Sequence, residues 1–176
     1  MLCLILSIVQ LNAQSTFKKT TNIDPSVEYK ITRSTAKYFL EFEDLSNLKR
    51  VKIKYFTADI LYKLLEAKNL ESLSITRAKV EYIGTEICEF KNLESLELSA
   101  NPISSIPNCL CDSKNLRHLI LWDTNVSAFD DCFSELNLRT IDIKGVKINY
   151  NEYELLLNQF EEHILITEDP CDCEFE

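Results

Sequence analysis

The chain has 176 residues, 45% hydrophobic and 27% charged, enough to close one globular core and too apolar for a disordered chain. With two Gly and four Pro, it is neither linker-rich nor low in complexity. A formal net charge of -9 repels phosphate backbones and argues against a nucleic-acid partner.

The chain opens on MLCLILSIVQLNAQS. Its apolar run of about eleven residues is too short for a membrane span, which needs about 20. The run fits the apolar region of an export signal over residues 1–13, cleaved after Ala13, although no Lys or Arg precedes Lys18. The expected location is therefore exported (periplasmic, secreted or surface-associated), with a cytoplasmic chain as the alternative. No later segment is long and apolar enough to span a bilayer. Residues 14–44 read as an N-terminal cap and a degenerate first repeat, in which Tyr29 and Ile31 take inward places and Tyr38, Phe39, Leu40 and Phe42 cover the end of the core.

From residue 45 to 160 one frame recurs. LKRVKIKYF starts at Leu48, LESLSITRA at Leu70, LESLELSAN at Leu93, LRHLILWDT at Leu116 and LRTIDIKGV at Leu138. The starting leucines lie 22, 23, 23 and 22 residues apart, and Asn47, Asn69, Asn92, Asn115 and Asn137 precede them. Each unit has aliphatics at its first, fourth and sixth places, such as Leu93, Leu96 and Leu98. Alternation over a short stretch predicts a half-buried strand, and a strand repeated at this period must stack on its copies to bury its inner face. The return path adds Val80, Ile83 and Ile87, then Ile103, Ile106 and Leu110, then Val126, Phe129 and Phe133. DILYKLLEAK and NEYELLLNQF read as helical returns, while Pro102 and Pro107 predict an extended or 3₁₀ return in the middle unit. Residues 161–176 read as a closing repeat, with Ile164 and Ile166 turned inward, and an acidic tail. From Tyr150 onward there are nine acidic residues and no Lys or Arg, whereas Lys49, Arg50, Lys52 and Lys54 cluster at the first complete unit.

These units resemble the leucine-rich repeat family, whose repeat reads LxxLxLxxN over 20–29 residues. The resemblance implies an α/β fold: a right-handed solenoid with a concave parallel sheet and short helical, 3₁₀ or extended convex segments. It also implies a binding role without catalysis. The departure lies at the ninth place, where only Asn101 keeps the family's Asn; Phe56, Ala78, Thr124 and Val146 hold the other units. Of these only Thr124 has a side chain able to stand in, so the remaining turns need backbone partners from elsewhere.

The outward places form columns. The third place reads Arg50, Ser72, Ser95, His118, Thr140; the fifth Lys52, Ser74, Glu97, Ile120, Asp142; the seventh Lys54, Thr76, Ser99, Trp122, Lys144. Ile120 and Trp122 break the polar rule, beside His118 and Asp123. Three readings of Trp122 stand: it folds over its neighbours or packs against a terminal segment, it anchors a partner, as tryptophan does at binding hot spots, or it makes a crystal or self-association contact. The candidate binding residues are His118, Ile120, Trp122, Asp123, Glu97, Asp142 and Lys144, with a protein as the expected partner. A surface polysaccharide is the alternative ligand, and an intracellular interaction protein is the reading if the leader is retained.

Cys88 and Cys111 share one repeat place, and Cys109 and Cys132 share another. Stacking makes the bridges Cys88–Cys111 and Cys109–Cys132 conceivable; the other reading makes these cysteines small apolar fillers. Cys171-Asp172-Cys173 with His163 lacks the second cysteine pair of a closed zinc site, so no metal is expected. With glycine only at 84 and 145, there is no phosphate-cradling loop, and no nucleophile elbow or HExxH stretch occurs. Neither an enzyme nor a cofactor is expected.

Overall fold

The computed structural model describes Phe17, residues 22–160 and Leu165–Ile166. The apolar segment 1–13 with Cys3, expected to be an export signal, and the His163 and Cys171-Asp172-Cys173 group lie outside the described residues. Among the described residues seven strands form one sheet in chain order: β1 Glu28–Ile31, β2 Arg50–Ile53, β3 Ser72–Ile75, β4 Ser95–Glu97, β5 His118–Ile120, β6 Thr140–Asp142 and β7 Leu165–Ile166. Every neighbouring pair is parallel. The register sets like places side by side, as in Tyr29, Val51, Leu73, Leu96, Leu119 and Ile141. The aliphatics at the first, fourth and sixth places are all buried, from Leu48 to Ile143. Within each strand alternation therefore decides the faces: the fourth and sixth places fill the core, and the third, fifth and seventh line the open side of the sheet. Strands stack about 4.8 Å apart, closer than the bulkier return segments can pack, so the sheet takes the concave side.

The returns follow local sequence. A helix spans Ala58–Leu64, with Thr57 accepting the Ile60 N–H at its N-terminus, and another spans Tyr150–Gln159. The three middle units return through 3₁₀ turns at Thr85–Glu89, Asn108–Asp112 and Asp131–Glu135, each of which turns an apolar residue (Ile87, Leu110, Phe133) into the core. The 3₁₀ return predicted for the middle unit thus recurs on both sides of it.

Two hydrogen-bond ladders supply what the missing ninth-place asparagines leave out. At the entrance to the strands, Asn69 Nδ2 donates to Ser46 O, Asn92 Nδ2 to Lys68 O and Asn115 Nδ2 to Lys91 O. At the exit, Arg77, Ala100, Asp123 and Gly145 hold the eighth place with left-handed φ of 52, 54, 53 and 68°. That turn aims each N–H at the seventh-place carbonyl of the next unit: Arg77 to Ser99, Ala100 to Trp122 and Asp123 to Lys144. Asn101 itself is buried and fully engaged. Its Oδ1 accepts from Ala78 N at 3.0 Å and Val80 N at 3.2 Å, while Nδ2 donates to Ile75 O, Leu98 O and Ser99 O. Thr124 substitutes only within its own unit, donating to Leu121 O at 2.7 Å and accepting from Val126 N.

Both ends of the core are covered. Phe17 packs against Tyr29, Phe39 and Phe42 with ring centroids 4.9–5.6 Å apart. Of the four residues expected to cover this end, Phe39 is fully buried and Tyr38 and Phe42 pack partly against the core, but Leu40 is exposed. It ends the short helix Ala36–Leu40, whose inward face is already taken by Ala36 and Phe39. Asp24 and Asp44 initiate the turns into the first two units. The Ser26 hydroxyl and N–H donate to Asp24, and the Ser46 N–H to Asp44, which holds both carboxyls below their ordinary pKa.

At the other end Phe129 meets Phe133 and Phe160 edge-on, and the helix Tyr150–Gln159 carries a full capping box, Asn149 with Glu152. Asn149→Ala removes an acceptor from Glu152 N and is expected to cost about 1 kcal/mol, read as a lower thermal midpoint; an unchanged midpoint would show that this helix adds nothing to the fold. The closing strand corrects the expected register by one residue. Leu165 pairs with Ile141 and is buried, and Ile166 pairs with Asp142. A one-residue shift exchanges the two faces of a strand. Ile164 lies outside the described residues.

The four cysteines of the middle units are all bonded, in pairs other than the expected ones. The bridges are Cys88–Cys109 and Cys111–Cys132, with Cα separations of 6.0 and 5.6 Å. The reason is directional. Stacked units are related nearly by translation, so side chains at one shared place point the same way along the solenoid and do not meet. In a 3₁₀ turn of three residues per turn, the neighbours of the inward residue leave on opposite sides. Cys109 and Cys111 flank the inward Leu110 in this way, so one faces the preceding unit and the other the following one.

Candidate binding face

The odd places of β2 to β6 stand on the open side of the sheet, in the three columns that the repeat frame predicts. In the fourth complete unit His118 is half-buried, with Nδ1 3.3 Å from Thr140 Oγ1. Ile120 lies between Glu97 and Asp142 in the register and is partly exposed. Trp122 is also partly exposed, and the Arg77 guanidinium lies 5.6 Å from its ring centroid. Such a contact ties a cation to the electron-rich ring face. The tryptophan therefore packs beneath a neighbour while keeping part of its ring open to solvent.

The other candidate residues divide. Glu97 turns away from Trp122: it accepts from the Ser74 hydroxyl and pairs with Lys52 at 3.6 Å. Asp142 Oδ1 accepts from Lys144 N, a local turn contact that leaves the Lys144 side chain exposed. Asp123 is exposed, and its backbone N–H pairs with Lys144 O. The structure thus keeps His118, Ile120 and Trp122 together and commits Glu97 to the basic end.

Three residues that the candidate set omits also belong to this face. Arg77 sits at the eighth place of the second unit and crosses two strand spacings to reach Trp122. Thr76 and Ser99 occupy outward seventh places yet are buried, and neither hydroxyl has a hydrogen-bond partner among the described residues. The sequence signal was a small polar residue at the seventh place of two successive units, followed by a long cation. Toward the first units the face is basic, with Lys30 beside Lys52 in the register and Arg33 5.1 Å above the Tyr55 ring.

On the return side, Cys111, Asp130 and Cys132 bring their ligand atoms within 4.8 Å of one another. Both sulfurs are in the Cys111–Cys132 bridge, and the Asp130 carboxylate already accepts from Cys132 N and Asn108 Nδ2. Without a free thiolate, this group lacks the donors that a zinc ion needs. Among the described residues no helix is long and apolar enough to cross a membrane.

No protein-family model and no curated protein matches the chain. Solved structures share its fold, two of them as follows. A leucine-rich repeat protein of Leptospira interrogans aligns with a TM-score of 0.61 and 20% identity over 78% of this chain and 34% of its own. An internalin of Listeria monocytogenes aligns with a TM-score of 0.57 and 16% identity, over 81% of this chain and 43% of its own. The chain therefore spans less than half the length of either structure it resembles. With seven parallel strands at one repeat period and a continuous aliphatic ladder behind them, this chain has the leucine-rich repeat fold.

Proposed function

We propose that this chain is a non-catalytic recognition module that docks a protein partner on the concave face of its sheet, centred on the third to fifth complete units. The observation that carries the reading is the pair Ile120 and Trp122, partly exposed at outward places where neighbouring units carry Ser74, Thr76, Glu97 and Ser99. Repeat stacking makes no use of an apolar pair there. An aromatic anchor ringed by His118, Asp142 and Lys144 fits a docking centre with a polar rim. Two bridges on the return side suit an oxidising compartment, which supports an exported chain.

A photo-crosslinker at position 122, with mass spectrometry of the captured protein, identifies the partner. Trp122→Ala is then expected to weaken that partner's binding by about thirtyfold, with little change in the unfolding midpoint. Equal affinity of the variant and the parent chain for the captured partner would remove the fourth unit from the docking face.

A further inference from the structure

The seventh-place column holds an arrangement that the fold alone does not need. Thr76 and Ser99 follow the adjacent strands β3 and β4, where Arg77 N donates to Ser99 O at 3.3 Å. The two residues are 5% and 2% exposed, and neither hydroxyl has a hydrogen-bond partner among the described residues. A buried hydroxyl left without a partner opposes folding, so a purely structural column would favour alanine or valine there. Above this column Arg77 extends from the second unit to the Trp122 ring in the fourth, spanning the unit of Ser99. The guanidinium thus makes no ion pair among the described residues, and its charge faces a ring.

We infer that Thr76, Ser99 and Arg77 form a carboxylate-binding subsite for an acidic segment of a polypeptide partner. The inference rests on the concave face being the docking surface. In this proposal the exposed Arg77 side chain lifts off the Trp122 ring to open the two buried hydroxyls. One carboxylate then accepts from Thr76 Oγ1 and Ser99 Oγ and pairs with the Arg77 guanidinium, a fork of donors suited to a planar anion. Ile120 and Trp122 take the apolar residue beside it. The surroundings favour an anion. Lys54 heads the same column, Lys79 follows Arg77 in the chain, and Lys30 flanks Lys52; among the described residues Lys30, Lys54, Arg77 and Lys79 have no ion-pair partner. The nearest acidic member of the face, Glu97, is already held by Lys52 and Ser74. In a chain of net charge -9, this basic patch is complementary to a negatively charged partner and steers its approach. A polypeptide is favoured over an acidic polysaccharide because the anion donors adjoin an apolar pair, and a sugar chain stacks on a row of aromatics that the columns lack.

Trp122 is the chain's single tryptophan, so its emission reports on the subsite directly. The probe is a peptide alternating glutamate and leucine, with its glutamine counterpart and polygalacturonate as controls. The glutamate peptide is expected to shift Trp122 emission, and to bind more weakly as salt rises. Arg77→Gln should lower its affinity about tenfold. Thr76→Val and Ser99→Ala should each lower it about threefold to tenfold while leaving the thermal midpoint equal or higher. A lower midpoint with unchanged affinity would make the hydroxyls structural and overturn the subsite. Equal binding of the glutamine peptide would also overturn it, and equal binding of polygalacturonate through the same residues would replace the polypeptide with a polysaccharide. If capture from position 122 persists in Arg77→Gln and no glutamate peptide binds, the subsite fails while the docking face stands; loss of the Trp122→Ala effect removes the face itself.

Discussion

Replacing Cys88 and Cys109 together with alanine is expected to lower the free energy of unfolding by about 3 kcal/mol, and replacing Cys111 and Cys132 as well to lower it by about 6 kcal/mol. Each bridge closes a loop of sequence separation 21. Its main effect is on the unfolded chain, which loses conformations when two units are tied. A solenoid amplifies this effect, because each unit contacts only its neighbours and a bridge between adjacent units reinforces the interface where the stack opens. The two bridges join the second unit to the third and the third to the fourth, which ties together the units that carry Thr76, Ser99 and Trp122. Denaturant unfolding checks the prediction: the midpoint should fall stepwise, and the slope should rise as the unfolded chain expands. A midpoint insensitive to strong reductant would show that the bridges contribute nothing. The pairing itself is read by mass spectrometry of unreduced fragments, and a Cys88–Cys111 fragment would contradict the geometry described above.

Asn101→Ala is expected to cost about 4 kcal/mol, because it orphans Ala78 N and Val80 N and strips a donor from Ile75 O and Leu98 O in a buried turn. No other ninth-place residue joins two units in this way. Asn101→Asp separates the two halves of the role. It keeps the acceptor for Ala78 and Val80 but turns an oxygen, and charge, toward buried carbonyls, so its cost should equal or exceed that of alanine. Asn101→Thr imitates Thr124, which serves its own unit alone, and should cost about half as much. Thermal and denaturant midpoints of the three variants check the order; a threonine variant as unstable as alanine would mean that the bonds to the preceding unit are not the ones that matter.

Much of this molecule was legible from residue types and their spacing. The recurring leucines set the period, and the alternation of Val51, Ile53 and their equivalents separated inward from outward places. Pro102 and Pro107 announced the tight return of the middle unit. The polar columns and their interruption at Ile120 and Trp122 followed from the same frame. Misreadings came where a one-residue choice or a direction in space mattered. Ile164, Leu165 and Ile166 form an unbroken apolar run, so periodicity alone did not choose its register. Leu40 looked like a capping residue because its neighbours cap, but a helix of five residues has room for only one inward face.

What the sequence by itself determined is the repeat: its length, its inward and outward faces and the place where its polar rule breaks. Those are local properties, set by a two-residue alternation and a constant chain length per unit. Only the tertiary structure decided which cysteines meet, that Asn101 clasps the preceding unit, and that Arg77 reaches Trp122 over two buried hydroxyls. Each of these depends on the direction a side chain takes along the stack and how far it reaches across neighbouring units. That direction arises from the packing of whole units on one another, and no single repeat encodes it.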